Sequence, residues 1–217
     1  MKKKMLSMAA AITMAIVSLT GCSNGIKKDT VIKTAKEYGM VQQDKLVNAL
    51  SFGTDGYSVF YVSKDSEEAD YTRKLVLHAG QQEDFALKEA IVCIESKVSH
   101  RKDTAPISVS EMQEMRTTIL IMTTKDAKSA KKLYDANAEW ITLHEGEKGN
   151  KNGVEYAINY TTFTTNDGAN EAESFYGAYL TGNTVIWIEA LTTDENIDDC
   201  TEYFCEKLGL VSPLTLR

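Results

Sequence analysis

The chain has 217 residues, with 24 Lys and Arg against 31 Asp and Glu, a formal net charge of −7 and 43% hydrophobic residues. That composition suits a chain that buries a core in one large domain or two small ones, and two prolines with no low-complexity stretch argue against disorder. Its basic clusters are as short as Lys27, Lys28 and His100, Arg101, Lys102, so nucleic acid and charge-driven adhesion to anionic lipid heads are set aside as partners.

Met1 is followed by Lys2, Lys3 and Lys4 and then by an apolar run from Met5 to Leu19, a charged n-region and an h-region of export-signal length. The run is too short to be a comfortable membrane span. It ends in Leu19, Thr20, Gly21 and Cys22, with a polar Ser23, Asn24, Gly25 behind. These residues resemble the lipobox of bacterial lipoproteins. The resemblance implies cleavage between Gly21 and Cys22 and a diacylglycerol on Cys22, with acyl chains such as palmitate. An ordinary secretory signal with an incidental cysteine, or an uncleaved anchor, are the competing readings. Lipid chains contribute roughly 0.8 kcal/mol per buried methylene, which makes a diacylated cysteine a durable anchor. Residues 1–21 hold three lysines and no acid, so the remaining 196 residues carry −10. The expected organisation is a signal peptide at 1–21, a lipidated tether at 22–28 and an extracytoplasmic α+β domain at 29–217. The tether reaches at most about 25 Å when extended.

Along the domain, Asp29 is placed to cap a short helix over 30–38 that Gly39 ends, and a second short helix is expected over 44–50. Asp55 and Gly56 form a turn signal before a strand over 57–63, and 65–78 reads as a helix closed by Gly80. Over 88–97, Leu87, Ala90, Ile91, Ile94 and Val98 fit a helical face, while the run Ile91, Val92, Cys93, Ile94 fits a buried strand; strand is preferred. A polar loop over 100–110 leads to a strand over 116–124. A helix follows over 125–137, with Ala127, Ala130, Tyr134 and Ala138 as one stripe. Val59 to Asp65 and Leu120 to Asp126 echo one another, each joining an apolar strand to a helix through Lys-Asp. The echo suggests two βαβ units, the second closing with a strand over 154–163 after the turn at Asn152 and Gly153. Strands over 174–181 and 184–191 are joined by Gly182 and Asn183, a two-residue hairpin signal. Thr192 and Glu195 have capping-box spacing for a helix over 193–208, which Gly209 and Pro213 end. The acids Asp194, Glu195, Asp198 and Asp199 in its first turns suit the helix dipole without a metal. The fold class predicted is α+β: a mainly antiparallel sheet of five to seven strands with helices on one face, in ferredoxin-like βαβ repeats extended by the C-terminal hairpin and helix.

Signals for chemistry are sparse. His78, His100 and His144 have no companion in a ligand spacing, and neither HExxH nor HxH occurs. Besides Cys22 there are Cys93, Cys200 and Cys205, an odd number without a CxxC pair, which supports neither a disulfide framework nor a zinc knuckle. Cys200 and Cys205 would stand about 140° apart around a helix, too far round to bond, with Cys200 on the apolar face of Ile197, Phe204 and Leu208. A GxSxG pattern is absent from the mature chain, and Gly146, Gly149 and Gly153 fit a hairpin loop better than a phosphate cradle. The acid pair Glu171 and Glu173 carries no information in so acidic a chain, and Asn166 to Asn170 reads as a turn, not a calcium loop. No metal or other cofactor is expected. Tyr156, Tyr160, Tyr176, Tyr179 and Trp187 fall on strands, where packing is the first explanation and a platform for a sugar ring or peptide the second. An exposed Tyr176–Trp187 pair across the hairpin would favour the platform.

Taken with the closing Lys207 to Pro213, these features resemble the small uncharacterised lipoproteins of Gram-positive bacteria, a likeness that implies a surface location and no particular activity. The function expected is a lipid-anchored, non-enzymatic binding or interaction module on the outer face of the cytoplasmic membrane. Its expected partners are the membrane through Cys22 and an envelope protein, peptide or glycan. The alternatives are a cell-envelope hydrolase whose active site is scattered in sequence, and an accessory subunit of a membrane complex.

Overall fold

A computed structural model of the chain describes residues 26–42, 56–63, 65, 86–96, 116–164, 171–192 and 198–217. The signal region, Cys22, His78, His100, the helix expected at 44–50 and all but Asp65 of the helix expected at 65–78 lie outside the described residues, as do Asn166 to Asn170, Asp194 and Glu195.

Helix α1 (Lys28–Tyr38) leads into the short strand β1 (Val41–Gln42). Strands β2 (Gly56–Ser63), β3 (Leu87–Ser96) and β4 (Arg116–Thr124) follow, and then helix α2 (Ala127–Leu143). Strands β5 (Glu147–Lys151), β6 (Val154–Thr164), β7 (Glu171–Thr181) and β8 (Thr184–Thr192) come next. Helix α3 (Asp198–Leu208) and a 3-10 turn (Pro213–Leu216) close the chain. The strands form one eight-stranded sheet in the order β1-β2-β3-β4-β8-β7-β6-β5. Every pairing is antiparallel except that of β1 with β2. Among the described residues no helix is long and apolar enough to cross a membrane.

The α+β class and the mainly antiparallel sheet are as the sequence implied, and 87–96 is a strand. The helices, however, cover both faces of the sheet. Val92, Leu120, Met122, Val185 and Trp187 pack under α2, while Ile91, Cys93, Ile119, Ile121, Ile186 and Ile188 point the other way, under α1 and α3. Runs such as Ile119 to Met122 are apolar at every position because both faces of the strand are buried. Nor does the echo build βαβ units. β2 and β3 are antiparallel neighbours, and β6, reached from β4 through α2, runs antiparallel to β4 with two strands between them.

Local signals account for most of the ends. Asn152 and Gly153 take φ of 55° and 82°, the left-handed pair of a type I′ hairpin, and join β5 to β6. The polar stretch around Gly149 is therefore itself an edge strand, and only Asn152 and Gly153 form the loop. Gly182 and Asn183 join β7 to β8 as expected. Asp29 is not a cap: the N-cap of α1 is Lys27, without a side-chain bond, and Asp29 sits in the first turn, where the dipole favours an acid. Asp126 is the cap of α2, its Oδ1 accepting from the Ser129 amide at 2.8 Å. Ala127 is exposed, and the buried stripe runs Ala130, Leu133, Tyr134, Asn137, Ala138, Ile141. Ala157 and Ala178 are paired in register beneath this stripe, and their small side chains let α2 lie close to the sheet.

Candidate functional site

The geometry of the site follows from a difference in length. Seventeen helical residues of α2 span about 25 Å, whereas the eleven of β6 span about 36 Å, so the sheet runs on past the helix. Where α2 ends, a groove of about 630 Å³ opens over β6, β7 and β8. Trp140, Leu143, His144 and Glu145 from the end of α2 form one wall. Asn159, Thr161 and Phe163 of β6, Ser174 and Tyr176 of β7 and Leu191 of β8 complete it. Register puts them in rows across the sheet: Asn159 is opposite Tyr176, and Thr161 is opposite Ser174, which is opposite Leu191.

The helix end is fixed onto the sheet by close packing. The Asn159 amide donates to the His144 carbonyl, and the Gly146 amide donates to the Ile141 carbonyl at 3.0 Å. Gly146 has no room for a side chain, because a Cβ there would lie 2.3 Å from Ile141 Cγ2 and 2.7 Å from the Ile158 carbonyl oxygen. Glu145 turns the corner with a φ of 66°. His144 Nδ1 lies 2.8 Å from the Trp140 carbonyl oxygen, which orients the imidazole beside the indole with ring centroids 4.3 Å apart.

Four rings then stack from the surface inward. The indole of Trp140 meets Tyr176 edge-on at 5.0 Å, and both approach Trp187, at 6.4 and 5.8 Å. Trp187 is only 1% exposed, and its Nε1 donates to Glu189 Oε2 at 3.2 Å. The hairpin pair is thus divided: Trp187 is core and Tyr176 is half-buried at the groove. Burial raises the Tyr176 phenol above its ordinary value, keeping it a neutral hydroxyl. Leu143 and Phe163 are 76% and 40% exposed, two of the four large apolar side chains with that exposure among the described residues.

The other aromatic candidates have structural places. Tyr179 is wholly buried, and Tyr156 packs beside it on the α1 and α3 face. The Tyr160 hydroxyl donates to Glu173 Oε1 at 2.7 Å, next to an ion pair of Glu173 with Arg217. Cys93, Cys200 and Cys205 are free and buried in the second core. His144 is in the groove, with Glu145 beside it. Among the described residues no group of three or more His, Cys, Asp or Glu is placed to hold a metal. Trp140 lies beyond the helix end expected at residue 137, so the sequence reading missed it; its i, i+4 spacing to His144 was the available signal.

No protein-family model matches the chain, and no curated protein does. Among solved structures, the chain is similar to the extracellular domain of PknH from Mycobacterium tuberculosis. That similarity covers 73% of this chain and 80% of the other, at 11% identity and a TM-score of 0.33.

Proposed function

We propose that the chain is a lipid-anchored extracytoplasmic binding module that takes its ligand in the groove at the end of α2. The observation that carries the binding role is the groove itself: half-buried aromatic rings, exposed Leu143 and Phe163, and polar Asn159 and Ser174 converge on one concave surface. The anchor rests on Leu19, Thr20, Gly21, Cys22 and the charged and apolar segments before them. Two measurements test the reading. Cys22→Ala shifts the chain from the membrane fraction to the soluble one and abolishes incorporation of labelled fatty acid. A thermal-shift screen of the full chain in mild detergent, against sugars, peptides, metals and wall fragments, gives a ligand-dependent rise. A ligand at 100 times its Kd adds about 2.7 kcal/mol, or roughly 5 to 10 °C. No shift, with co-purification of a membrane protein, would instead identify an accessory subunit.

A second reading, an envelope hydrolase, is favoured by His144 and Glu145 lying side by side in the groove. It predicts turnover of the bound ligand that His144→Ala abolishes. A binding module releases its ligand unchanged.

A further inference from the structure

We infer that the groove binds an uncharged sugar chain, one pyranose ring resting on the aromatic surface of Trp140 and Tyr176; this rests on the binding-module reading above.

Three observations favour that ligand class. First, both rings line the groove and are only partly buried, so each offers π surface to a ligand there. The C–H face of a pyranose is apolar enough to pack on such a surface. His144 and Trp187 hold the indole at 4.3 and 6.4 Å, so the platform is set before a ligand arrives and little ordering cost remains. Second, polar groups border the platform: Thr161 beside it and His144 and Glu145 at the rim, over the buried Asn159 and Ser174, of which Asn159 already holds the His144 carbonyl. Hydroxyl, imidazole and carboxylate groups around an aromatic face are the donors and acceptors that ring hydroxyls require. Third, among the described residues the lining contains no Lys or Arg and does contain Glu145, in a chain of net charge −7. Phosphate- or uronate-bearing polymers would meet repulsion without a compensating cation.

An extended peptide fits less well. Peptides held on sheets draw their affinity from the free backbone groups of an edge strand. Here the floor is the face of β6, β7 and β8, from which only side chains point at the ligand; among the described residues β6 is paired with β5 only over 154–158, so its free edge at 159–164 lies to one side of that floor. A peptide on the floor would leave its own amides largely unmatched, and one added along that edge would not use the ring platform.

The test uses the full chain in mild detergent, titrated with cellohexaose, chitohexaose, a hyaluronan hexasaccharide and a Leu-Lys decapeptide, followed by calorimetry and tryptophan emission. Trp140 and Trp187 are the only tryptophans of the chain and both belong to the ring stack, so emission reports directly on the site. Expected is binding of at least one neutral hexasaccharide with a shift in emission, and no binding of hyaluronan. Trp140→Ala weakens that binding about tenfold. If Trp140→Ala disturbs folding, Trp140→Phe keeps the ring: heat of binding persists while the emission response falls. Binding of the decapeptide without either neutral sugar overturns the glycan assignment and leaves the groove as a peptide site. Sugar binding that neither Trp140 variant alters places the sugar elsewhere and overturns it too. Silence with every probe overturns both the ligand class and the groove as a binding site.

Discussion

The phenol oxygen of Tyr179, near the C-terminal end of β7, donates to the carbonyl of Val211 at 2.6 Å and so ties the segment after α3 to the sheet. Tyr179→Phe keeps the ring and leaves that carbonyl without its buried donor, a change that costs about 1–2 kcal/mol. Urea unfolding should show a lower midpoint with unchanged slope, and limited proteolysis should cut earlier near residues 209–217. An unaltered midpoint would mean that packing of Leu210 and Leu214 alone holds the segment.

The same core makes stability fall in alkali. Burial pushes the Cys205 thiol up to about 12, raises the Cys93 thiol further, and holds Tyr179 well above its ordinary value. Because the folded pKa values exceed the unfolded ones, stability is full below about pH 8.5. Above that it declines, since the unfolded chain releases protons that the folded core retains. Each such group contributes a slope of up to about 1.4 kcal/mol per pH unit. Melting temperatures measured from pH 8 to 10.5 should drop, and Cys205→Ala should make the drop shallower. Cys93, Cys200 and Cys205 should resist thiol reagents at pH 8 until denaturant is added.

In acid the cap of α2 matters. Hydrogen bonds from Ser129 hold the Asp126 carboxyl below its ordinary value, so its contribution is present above about pH 4 and is lost as pH falls through the lower folded value. Asp126→Ala should lower the melting temperature by about 2–4 °C at pH 7. Asp126→Asn, which still caps, should be near neutral there and remove this acid limb. Equal melting of both variants at pH 7 would refute the cap.

Gly146→Ala tests how the groove is held. The added methyl must displace Ile141 or the backbone of β6, and overpacking of this kind costs about 1–3 kcal/mol. Since Gly146 sits where α2 comes down onto β6, the variant should also shift the tryptophan emission of the ring stack. A stable variant with wild-type emission would show that the helix end is not fixed there.

Much of this architecture was legible in the chain, and the failures have identifiable causes. Asn152-Gly153 and Gly182-Asn183 declared both C-terminal hairpins, because a two-residue turn is a local matter of backbone sterics. The three-layer arrangement was also written in the sequence, although the reading put the helices on one face: Ile91 to Ile94, Ile119 to Met122 and Val185 to Ile188 are apolar without alternation, as two-sided burial requires. A one-faced sheet would have alternated. Strand order was not legible, because the echo between Val59 and Leu120 marks only strand ends and says nothing of which strands become neighbours. The groove escaped for a similar reason. Tyr176 and Trp187 were visible as a hairpin pair, but Trp140 joins them only because α2 continues past Asn137, and helix ends without a Gly or Pro stop are weakly encoded.

The sheet has a further consequence as a partition. α1, the first described helix after Cys22, packs on the face opposite α2, and the groove opens on the α2 face. In a molecule tethered through Cys22, the α1 and α3 layer would be the near side and the groove the far side, a sheet's thickness away. A short leash would then serve recognition: it would hold the molecule with its back to the bilayer and its binding surface turned to whatever lies beyond.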